Sequence, residues 1–585
     1  MGTEDALREV DGIFERAAAE GTIPGIAYGV VISGELGHAA GLGTLRHGED
    51  RTPDADSVFR IASMTKSFTA SAATLLRDEG LLRFDEPVGT YVPALDDLRG
   101  PTADSPPITV RHLLTMASGL PTDDPWGDRL QGMELERFAE LLAGGFDGVW
   151  APGTAFEYSN LGYGMLGRVL TNVSGTEYRE LVLERLLEPL GMRATAYTAD
   201  EVPAERLALG YVRRDGSFVE EPFDGYGALA SMGGIFASVR DLAVWVAGFA
   251  DAFPPRDDPE AGHPLSRASR REMQQVHRAF DPELRWTSPD AAPELICGGY
   301  GLGLFVTHDL RLGHVVGHSG GYPGFGSHMR WHPASGVGVI ALANRTYAPM
   351  STYAAEALAA LVTREAAPIR KVVPWNATRA ARTRMETLLR AWDDDLAAGA
   401  FAFNVELDDP VERRRAEIGR IRDRHGALSP DPDLPTESNS PAHLVWWLRG
   451  ERGGRVRVEI LLTGERPPRV QALELRSVPD PSPAMAEAIR RVAESIAGPV
   501  PTWPDALQLD DGVDRVALDR ALRVASAGFG PLAVGPAIRG DGDRDVTVEL
   551  RGDRGTVDLR LALDPETGAV ATVSLVPRTV SAPRA

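Results

Sequence analysis

The order of the strand-like and helix-like segments constrains the fold of this 585-residue chain most strongly. Two short apolar segments at residues 25–32 and 37–43 predict a β-hairpin near the start. Four further strands are predicted at 300–307, 314–317, 326–331 and 338–344. Most of the chain between these two groups has helical patterns. This order predicts an α+β unit, in which one antiparallel sheet is assembled from both ends of the segment and flanked by helices, with an all-helical region beside it.

The helices of this unit are expected where apolar residues recur at a helical period between capping and turn residues. They are predicted at 63–78, 108–118, 135–144, 161–173, 238–249 and 353–363. A Pro- and Asp-rich segment at 251–293 is expected to be a loop around one short helix. The unit is assigned to residues 1–365, and a linker to residues 366–376.

After the linker the sequence has a different pattern, helical segments followed by alternating strand-like segments, and this pattern occurs twice. Alternating segments such as 456–462 and 557–563 predict strands that lie about 100 residues apart. We therefore divide the region into two α+β subdomains at 377–480 and 481–585, which form a candidate repeat. Each is expected to have two helices followed by a three-stranded meander. The predicted helices are at 378–398, 411–424, 484–497 and 513–526, and the predicted strands are at 443–449, 455–462, 469–478, 545–551, 556–563 and 569–577.

Composition excludes several functions. The net charge of −22 disfavours nucleic acid and anionic membranes as partners. No segment approaches the ~20 apolar residues of a membrane span. The acidic start has no basic segment followed by an apolar run, so no secretory signal is seen and a cytoplasmic location is expected. The single cysteine, Cys297, excludes an intrachain disulfide. Nothing in the sequence specifies an oligomeric state.

Ser63 and Lys66 are the first candidate catalytic residues. They lie three positions apart at the start of a predicted helix, so their side chains are expected to be neighbours. Of the 61 basic residues only Lys66 and Lys371 are lysines. Arginine keeps its proton, whereas a desolvated lysine can lose it. A lysine at this position therefore indicates a titratable base beside a serine nucleophile.

Two further segments supply candidate site residues. Tyr158 and Asn160 lie on a predicted turn, where a tyrosine hydroxyl stabilised by a nearby lysine is expected to act as a base. Asn160 has both a donor and an acceptor for the lysine and a substrate amide. His318-Ser319-Gly320-Gly321 is expected at a strand edge, where glycine lets a substrate approach and a free N–H can face an oxyanion.

Ser63-x-x-Lys66, Tyr158-x-Asn160 and His318-x-Gly320, in this order, resemble the serine β-lactamase and penicillin-binding-protein family. The resemblance is to its class C-like branch, which includes D-aminopeptidases, DD-peptidases and esterases. It extends over about residues 5–365 and implies a β-lactamase/transpeptidase-like fold. It further implies that Lys66 and Tyr158 activate Ser63, which forms an acyl-enzyme.

The remaining roles also come from the resemblance. It implies an oxyanion hole formed by the backbone N–H groups of Ser63 and Gly321, with Ser319 and Gly320 binding substrate. His318 replaces the lysine of the family's third motif and is mostly neutral at pH 7. Without that fixed charge for a substrate carboxylate, we expect an esterase, amidase or D-aminopeptidase that acts on a small-molecule or short-peptide acyl substrate. An acyl transferase or thioesterase, a β-lactamase or DD-peptidase, and an inactive binding or sensor protein are the alternatives.

Other classes of site were weighed against this interpretation. Gly317 to Gly321 also fits Gly-x-Ser-x-Gly, the nucleophile elbow of α/β-hydrolases, but no helix is predicted after it. Five histidines lie between 308 and 332, but i, i+4 spacing brings side chains together on a metal only in a helix, and these lie in predicted strands. No metal or cofactor is expected. Residues 377–585 are expected to border the active site and restrict substrate size, or to serve dimerisation or stability.

Overall fold

The structure of this chain is a computed structural model, and it forms two compact units, Met1–Arg370 and Lys371–Ala585. The residues that it describes are 3–96, 98, 100–260, 262–285, 294–309, 312–364, 367, 372–496, 502–505, 507–510, 512–529, 532–552 and 555–577. Residues 366 and 368–371 of the predicted linker at 366–376 therefore lie outside the described residues.

The first unit contains the following strands and helices. Its strands are β1 (Gly25–Ile32), β2 (Glu35–Gly43), β3 (Val58–Arg60), β4 (Tyr211–Arg214), β5 (Ser217–Glu220), β6 (Phe236–Ser238), β7 (Arg278–Ala279), β8 (Glu283–Arg285), β9 (Glu294–Tyr300), β10 (Phe305–Asp309), β11 (Gly313–Tyr322), β12 (Phe325–His332) and β13 (Val337–Ala343). Its helices are α1 (Thr3–Ala19), α2 (Thr65–Asp78), α3 (Val110–Leu114), α4 (Asp124–Gly127), α5 (Leu135–Ala143), α6 (Asn160–Ser174), α7 (Tyr178–Val182), α8 (Glu188–Leu190), α9 (Ala230–Gly233), α10 (Val239–Ala250), α11 (Arg267–Met273) and α12 (Met350–Thr363).

The main sheet joins the two ends of this unit. Its strand order is β2-β1-β13-β12-β11-β10-β9-β7, with β8 paired to β9. Strand β1 pairs antiparallel with β13, so that Ile26 lies opposite Ala343. The predicted α+β fold with a sheet assembled from both ends of the segment is confirmed.

Each face of the sheet is buried under helices, because successive side chains of a strand point to opposite faces. Ala27 of β1 and Leu342 of β13 belong to a core shared with α2, α6 and α10. Ile26 and Ala343 belong to a second core, shared with α1 and α12. The sheet is therefore the middle layer of three.

The region before β11 differs from the sequence-based prediction. The single strand expected at 300–307 is two strands, β9 and β10, that pair antiparallel with Tyr300 opposite Phe305. Gly303 in the turn between them has φ +70°, and a Cβ there would meet the Lys66 carbonyl oxygen at 2.5 Å. A turn that packs this closely against α2 requires glycine. The expected loop at 251–293 contains α11, as predicted, together with β7 and β8; residues 286–293 lie outside the described part of the chain.

The second unit contains two sets of helices followed by strands. Its helices are α13 (Asn376–Arg390), α14 (Asp394–Ala400), α15 (Asn404–Asp408), α16 (Val411–His425), α17 (Pro483–Ile496) and α18 (Arg515–Phe529). Its strands are β14 (Leu428–Pro430), β15 (His443–Gly450), β16 (Arg455–Leu462), β17 (Val470–Val478), β18 (Ala533–Gly540), β19 (Asp545–Gly552), β20 (Gly555–Leu563) and β21 (Val570–Pro577).

Each set forms its own antiparallel meander, β14-β15-β16-β17 and β18-β19-β20-β21. The separate C-terminal α+β region is confirmed, but each meander has four strands rather than the expected three. The first strand of each was missed because it contains a proline, Pro430 or Pro536, which argues against a strand in a sequence pattern. The unit has two apolar cores: one contains Trp446, and the other contains Trp503 together with Trp447 and Val478 of the first meander.

Among the helices that the structure describes, none combines the length and the apolar character that crossing a membrane requires.

Candidate active site

Ser63 lies in a short turn between a strand and a helix. Strand β3 ends at Arg60, a 3-10 turn covers Ala62–Met64, and α2 begins at Thr65. Ala62 has φ +48°, a left-handed conformation that a residue with a side chain adopts at a cost. The sequence-based prediction put Ser63 on the helix itself; it lies in the turn just before α2, and the residue is 9% exposed.

Lys66 lies in the first turn of α2 and is fully buried. Its Nζ donates to three oxygen atoms: Ser63 Oγ at 2.9 Å, Asn160 Oδ1 at 2.6 Å and the Met232 carbonyl at 2.8 Å. These partners use all three N–H donors of an ammonium group. The predicted neighbours Ser63, Lys66 and Asn160 are therefore brought together in the structure.

The same contacts determine where a neutral Lys66 carries its lone pair. Two of its partners, Asn160 Oδ1 and the Met232 carbonyl, can only accept hydrogen bonds. A neutral amine keeps two N–H groups, and these donate to the two obligate acceptors, Asn160 Oδ1 and the Met232 carbonyl oxygen. The lone pair of the nitrogen then takes the remaining tetrahedral position, which points at the Ser63 hydroxyl. A neutral Lys66 in this position is therefore a base aimed at Ser63.

Burial also lowers the pKa of Lys66. Desolvation is the largest effect and moves the pKa down to about 8, against the opposing attraction of Asp128, Asp124 and Asp123. A measurable fraction of Lys66 is therefore neutral near pH 7. An arginine could not supply this fraction.

Tyr158 lies beside Ser63 but does not have the low pKa expected of it. Its hydroxyl is hydrogen-bonded to Ser63, and Lys66 Nζ lies 4.9 Å from the centroid of its ring. Burial nevertheless raises the pKa of Tyr158 well above its usual value of 10.0, and the hydrogen bond from Ser63 offsets only part of this effect. The structure therefore contradicts the expectation of a stabilised phenolate, because desolvation is the larger effect.

Asn160 is held by two acidic residues that the sequence analysis missed. Asp123 accepts from the backbone N–H groups of Asn160 and Leu161, both at 2.7 Å. Asp124 Oδ1 accepts from Asn160 Nδ2 at 2.7 Å. Together with Ser159, whose hydroxyl accepts from the Gly162 N–H at 3.2 Å, Asp123 satisfies the first N–H groups of α6.

A third carboxylate connects this side of the site to the sheet. Asp128 is 4% exposed, and its Oδ2 accepts from the Tyr347 hydroxyl at 2.8 Å. Desolvation raises the pKa of Asp128, against the hydrogen bond from Tyr347 and the attraction of Lys66. Tyr347 has φ +48° and is 49% exposed. A tyrosine whose backbone is in the left-handed conformation indicates strain at this position, and no sequence pattern predicts it.

His318 is buried and neutral. Its Nδ1 lies 2.6 Å from the Ser319 carbonyl oxygen, and its Nε2 lies 2.9 Å from the Tyr300 hydroxyl. The neutral tautomer that satisfies both carries its proton on Nδ1 and accepts from Tyr300. Burial, followed by repulsion from Lys66, lowers the pKa of His318 to about 3. His318 therefore supplies no positive charge at neutral pH.

The rest of the glycine-rich segment shapes the edge of the sheet. Strand β10 pairs with β11 only from Gly313 to Gly317, so the later residues of β11 leave that edge open within the described chain. A Cβ on Gly320 would meet the Ile61 carbonyl oxygen at 2.1 Å, so only glycine lets β11 lie against the Ser63 turn. Gly321 packs under the Tyr347 ring, which a Cβ would meet at 2.6 Å.

Ser319 is exposed, and its hydroxyl contacts the neighbouring strand β12. Neighbouring residues of a strand face opposite sides, and its hydroxyl lies 2.8 Å from His328 Nδ1 on the face opposite His318. It lies within β11 and is followed by β12, so the strand–turn–helix of a nucleophile elbow is absent from this described segment. No three His, Cys, Asp or Glu side chains among the described residues are grouped as a metal site requires.

Comparison with known proteins agrees with this geometry. The beta-lactamase family model matches residues 10–364, which is more than half of the chain. The chain belongs to the beta-lactamase family. This membership supports a serine hydrolase that works through an acyl-enzyme, as the Ser63–Lys66 pair does.

Two relatives and one solved structure show how far the likeness extends. The D-alanyl-D-alanine-carboxypeptidase/endopeptidase AmpH of Escherichia coli is 29% identical over 351 residues, covering 58% of this chain and 83% of the relative. Protein flp of Staphylococcus aureus is 26% identical over 346 residues, covering 58% of this chain and 64% of that protein. The octameric penicillin-binding protein homologue of Pyrococcus abyssi has a TM-score of 0.52 and 19% identity, covering 98% of both chains. This last likeness concerns the fold.

Proposed function

We propose that this member of the beta-lactamase family hydrolyses an ester or amide bond through an acyl-enzyme on Ser63, and that its substrate needs no carboxylate. The single observation that carries the proposal is the placement of Lys66. Its neutral form directs a lone pair at Ser63 Oγ, while two obligate acceptors hold its remaining protons.

Acylation begins with proton transfer. The Ser63 hydroxyl gives its proton to neutral Lys66 as Oγ forms a bond to the substrate carbonyl carbon. The carbonyl oxygen becomes an oxyanion, for which we assign the backbone N–H groups of Ser63 and Gly321 as donors. The open edge of β11 supports this assignment, because backbone groups there are not committed to a neighbouring described strand.

Collapse of the intermediate needs a proton donor, and Tyr158 is suited to this role. Its high pKa keeps it protonated, and its hydroxyl is hydrogen-bonded to Ser63. Tyr158 gives its proton to the leaving atom as the bond to the carbonyl carbon breaks, and it regains one from the Lys66 ammonium. Water then attacks the ester on Ser63, and the reverse proton transfers release the acid and restore Ser63.

The neutral His318 supports the choice of substrate. A substrate carboxylate next to β11 would find no cation on this residue, because burial keeps its pKa at about 3. Esters, amides and N-terminal D-amino-acid amides do not need such a cation, so we favour them. The likeness to AmpH, at 29% identity, favours a D-alanyl-D-alanine peptidase as the second candidate.

The test compares wild-type protein with Ser63→Ala on p-nitrophenyl esters, D-amino-acid anilides, nitrocefin and a D-alanyl-D-alanine peptide. We expect turnover of esters or anilides that Ser63→Ala abolishes, and covalent labelling of Ser63 by a fluorophosphonate. Preferred turnover of the peptide would favour the second candidate, and preferred turnover of nitrocefin would indicate a β-lactamase instead. Failure to label Ser63 in folded protein would show that the site is inactive.

A further inference from the structure

The amide of Asn160 has to face Lys66 in one orientation for the proposed mechanism to work. Its Oδ1 accepts from Lys66 Nζ at 2.6 Å, while its Nδ2 lies on the opposite side of the group. The two ends of a carboxamide have nearly the same shape, so steric fit does not distinguish them. A rotated amide would bring Nδ2 to Lys66, where two donors would face each other.

Asp124 removes this ambiguity. Its Oδ1 lies 2.7 Å from Asn160 Nδ2, and an ionised carboxylate can only accept. Rotation of the Asn160 amide would place two oxygens in contact. We infer that Asp124 is a positioning residue for the proposed reaction, holding the Asn160 amide with its oxygen towards Lys66 and thereby aiming the Lys66 lone pair at Ser63.

The neighbouring contacts make the arrangement specific. Asp123 Oδ1 accepts from the backbone N–H of Asn160 at 2.7 Å. This bond fixes the backbone position from which the Asn160 side chain extends. Gly127 lies directly under Asn160, since a Cβ there would stand 3.0 Å from Asn160 Cβ. Two consecutive acidic residues therefore hold one asparagine, the first by its main chain and the second by its side chain.

Asp124 also acts on Lys66 by its charge. It is one of three carboxylates whose attraction opposes the effect of burial on the pKa of Lys66. The titratable groups that face Lys66 from the surrounding elements are Asp123, Asp124, Asp128, Tyr158, Tyr163 and His318. Within this set Asp124 alone touches the Asn160 side chain among the described contacts.

This inference rests on the proposed function, so its test uses a reaction of Ser63 that needs no knowledge of the substrate. The rate at which a fluorophosphonate labels Ser63 is measured from pH 5 to pH 10 in wild-type protein, Asp124→Asn and Asp124→Leu. Asp147→Asn, which changes an exposed carboxylate in the loop after α5, is the matched control.

In Asp124→Leu the Asn160 amide loses its acceptor, and we expect labelling to slow by about 10- to 100-fold, the range for loss of a partner that orients a reactive group. Asp124→Asn keeps an oxygen that can accept, so its maximal rate should fall less. In both variants the acid limb of the pH profile should move to lower pH, because loss of a negative charge lowers the pKa of Lys66. The limb reports the charge of Asp124, whereas a larger loss of maximal rate in Asp124→Leu than in Asp124→Asn reports the orientation of the Asn160 amide.

The outcomes separate the two proposals. No labelling of Ser63 in the wild-type protein would refute the proposed function. Normal labelling of wild type, with unchanged rates and unchanged acid limbs in the Asp124 variants, would overturn only the role of Asp124. If Asp124→Leu does not fold, the Asp124→Asn profile decides, since a maximal rate and an acid limb that are both identical to those of Asp147→Asn and wild type contradict the inference.

Discussion

Lys66 Nζ lies 2.9 Å from Ser63 Oγ, where the turn that follows β3 meets the first turn of α2. The contact joins the nucleophile to a buried side chain whose pKa is lowered to about 8, so that it can take the Ser63 proton near neutral pH. We predict that Lys66→Arg lowers kcat/KM by about 10²- to 10⁴-fold, the usual contribution of a general base. The reason is that arginine retains the charge but cannot accept a proton.

Arg77→Lys is the control for this variant, because it makes the reverse exchange at the other end of α2, in an ion pair with Glu272. Its activity should match that of wild type. Steady-state kinetics with a p-nitrophenyl ester measure both. A fully active Lys66→Arg would show that Lys66 provides only positive charge.

The pH dependence follows from the pKa of Lys66. This pKa is lowered to about 8, and only the neutral form accepts a proton from Ser63. kcat/KM should therefore rise with pH through a limb near pH 8 and level off above it. The pH profile of kcat/KM measures this limb in the free enzyme. A profile that is flat from pH 6 to pH 9, with chemistry shown to limit the rate, would exclude Lys66 as the base.

Tyr158→Phe distinguishes a proton donor from a base. Because burial keeps Tyr158 protonated, its main task in the proposed mechanism is to protonate the leaving atom. A p-nitrophenolate leaves without a proton, whereas an anilide nitrogen needs one. We expect Tyr158→Phe to reduce anilide turnover at least tenfold more than p-nitrophenyl ester turnover. Equal losses on the two substrates would indicate that Tyr158 activates Ser63 instead.

The residues that could be found from the sequence carry their signal in local spacing. Ser63 and Lys66 are three positions apart, a spacing that predicts neighbouring side chains at the start of a helix. Tyr158-x-Asn160 and His318-x-Gly320 are short motifs whose order along the chain matches one family. The strands of the sheet and the helices that cover it were predictable for the same reason, since the alternating period of a strand and the period of a helix are local properties of the sequence.

Asp124 and Tyr347 could not be found in this way. Asp124 meets Asn160 across 36 positions, and Tyr347 meets Asp128 across 219 positions. Neither contact leaves a period or a spacing in the sequence. The direction of the Tyr158 pKa shift was missed because burial, which decides it, depends on side chains from several distant segments.

Gly320→Ala tests the packing of β11 on the Ser63 turn. The added Cβ would lie 2.1 Å from the Ile61 carbonyl oxygen, a backbone atom that cannot move aside cheaply. We predict a loss of about 1–3 kcal/mol in the free energy of unfolding, as for other overpacked sites. Urea unfolding measures it.

Gly12→Ala on α1 is the matched control, because the nearest atom to its Cβ is the flexible Arg16 Nη1 at 4.0 Å. Alanine in the middle of a helix should raise stability by about 0.5–1 kcal/mol. Stability of Gly320→Ala equal to wild type would mean that β11 and the turn are not packed as closely as described.

Removal of the second unit tests where the chemistry resides. Every residue of the proposed mechanism lies between Ser63 and Gly321, and the first unit has its own apolar cores on both faces of its sheet. We therefore predict that a protein ending at Arg364 still undergoes labelling of Ser63 by a fluorophosphonate, and that Ser63→Ala in the same shortened protein does not. Circular dichroism establishes that both are folded.

The shortened protein also separates the two roles predicted for residues 377–585. The quantity compared with the full chain is the ratio of turnover rates for short and long acyl p-nitrophenyl esters. A gating module predicts a changed ratio, whereas an unchanged ratio in a folded, labelled protein assigns the region to stability or assembly. A folded shortened protein that is not labelled would show that the second unit contributes to the chemistry itself.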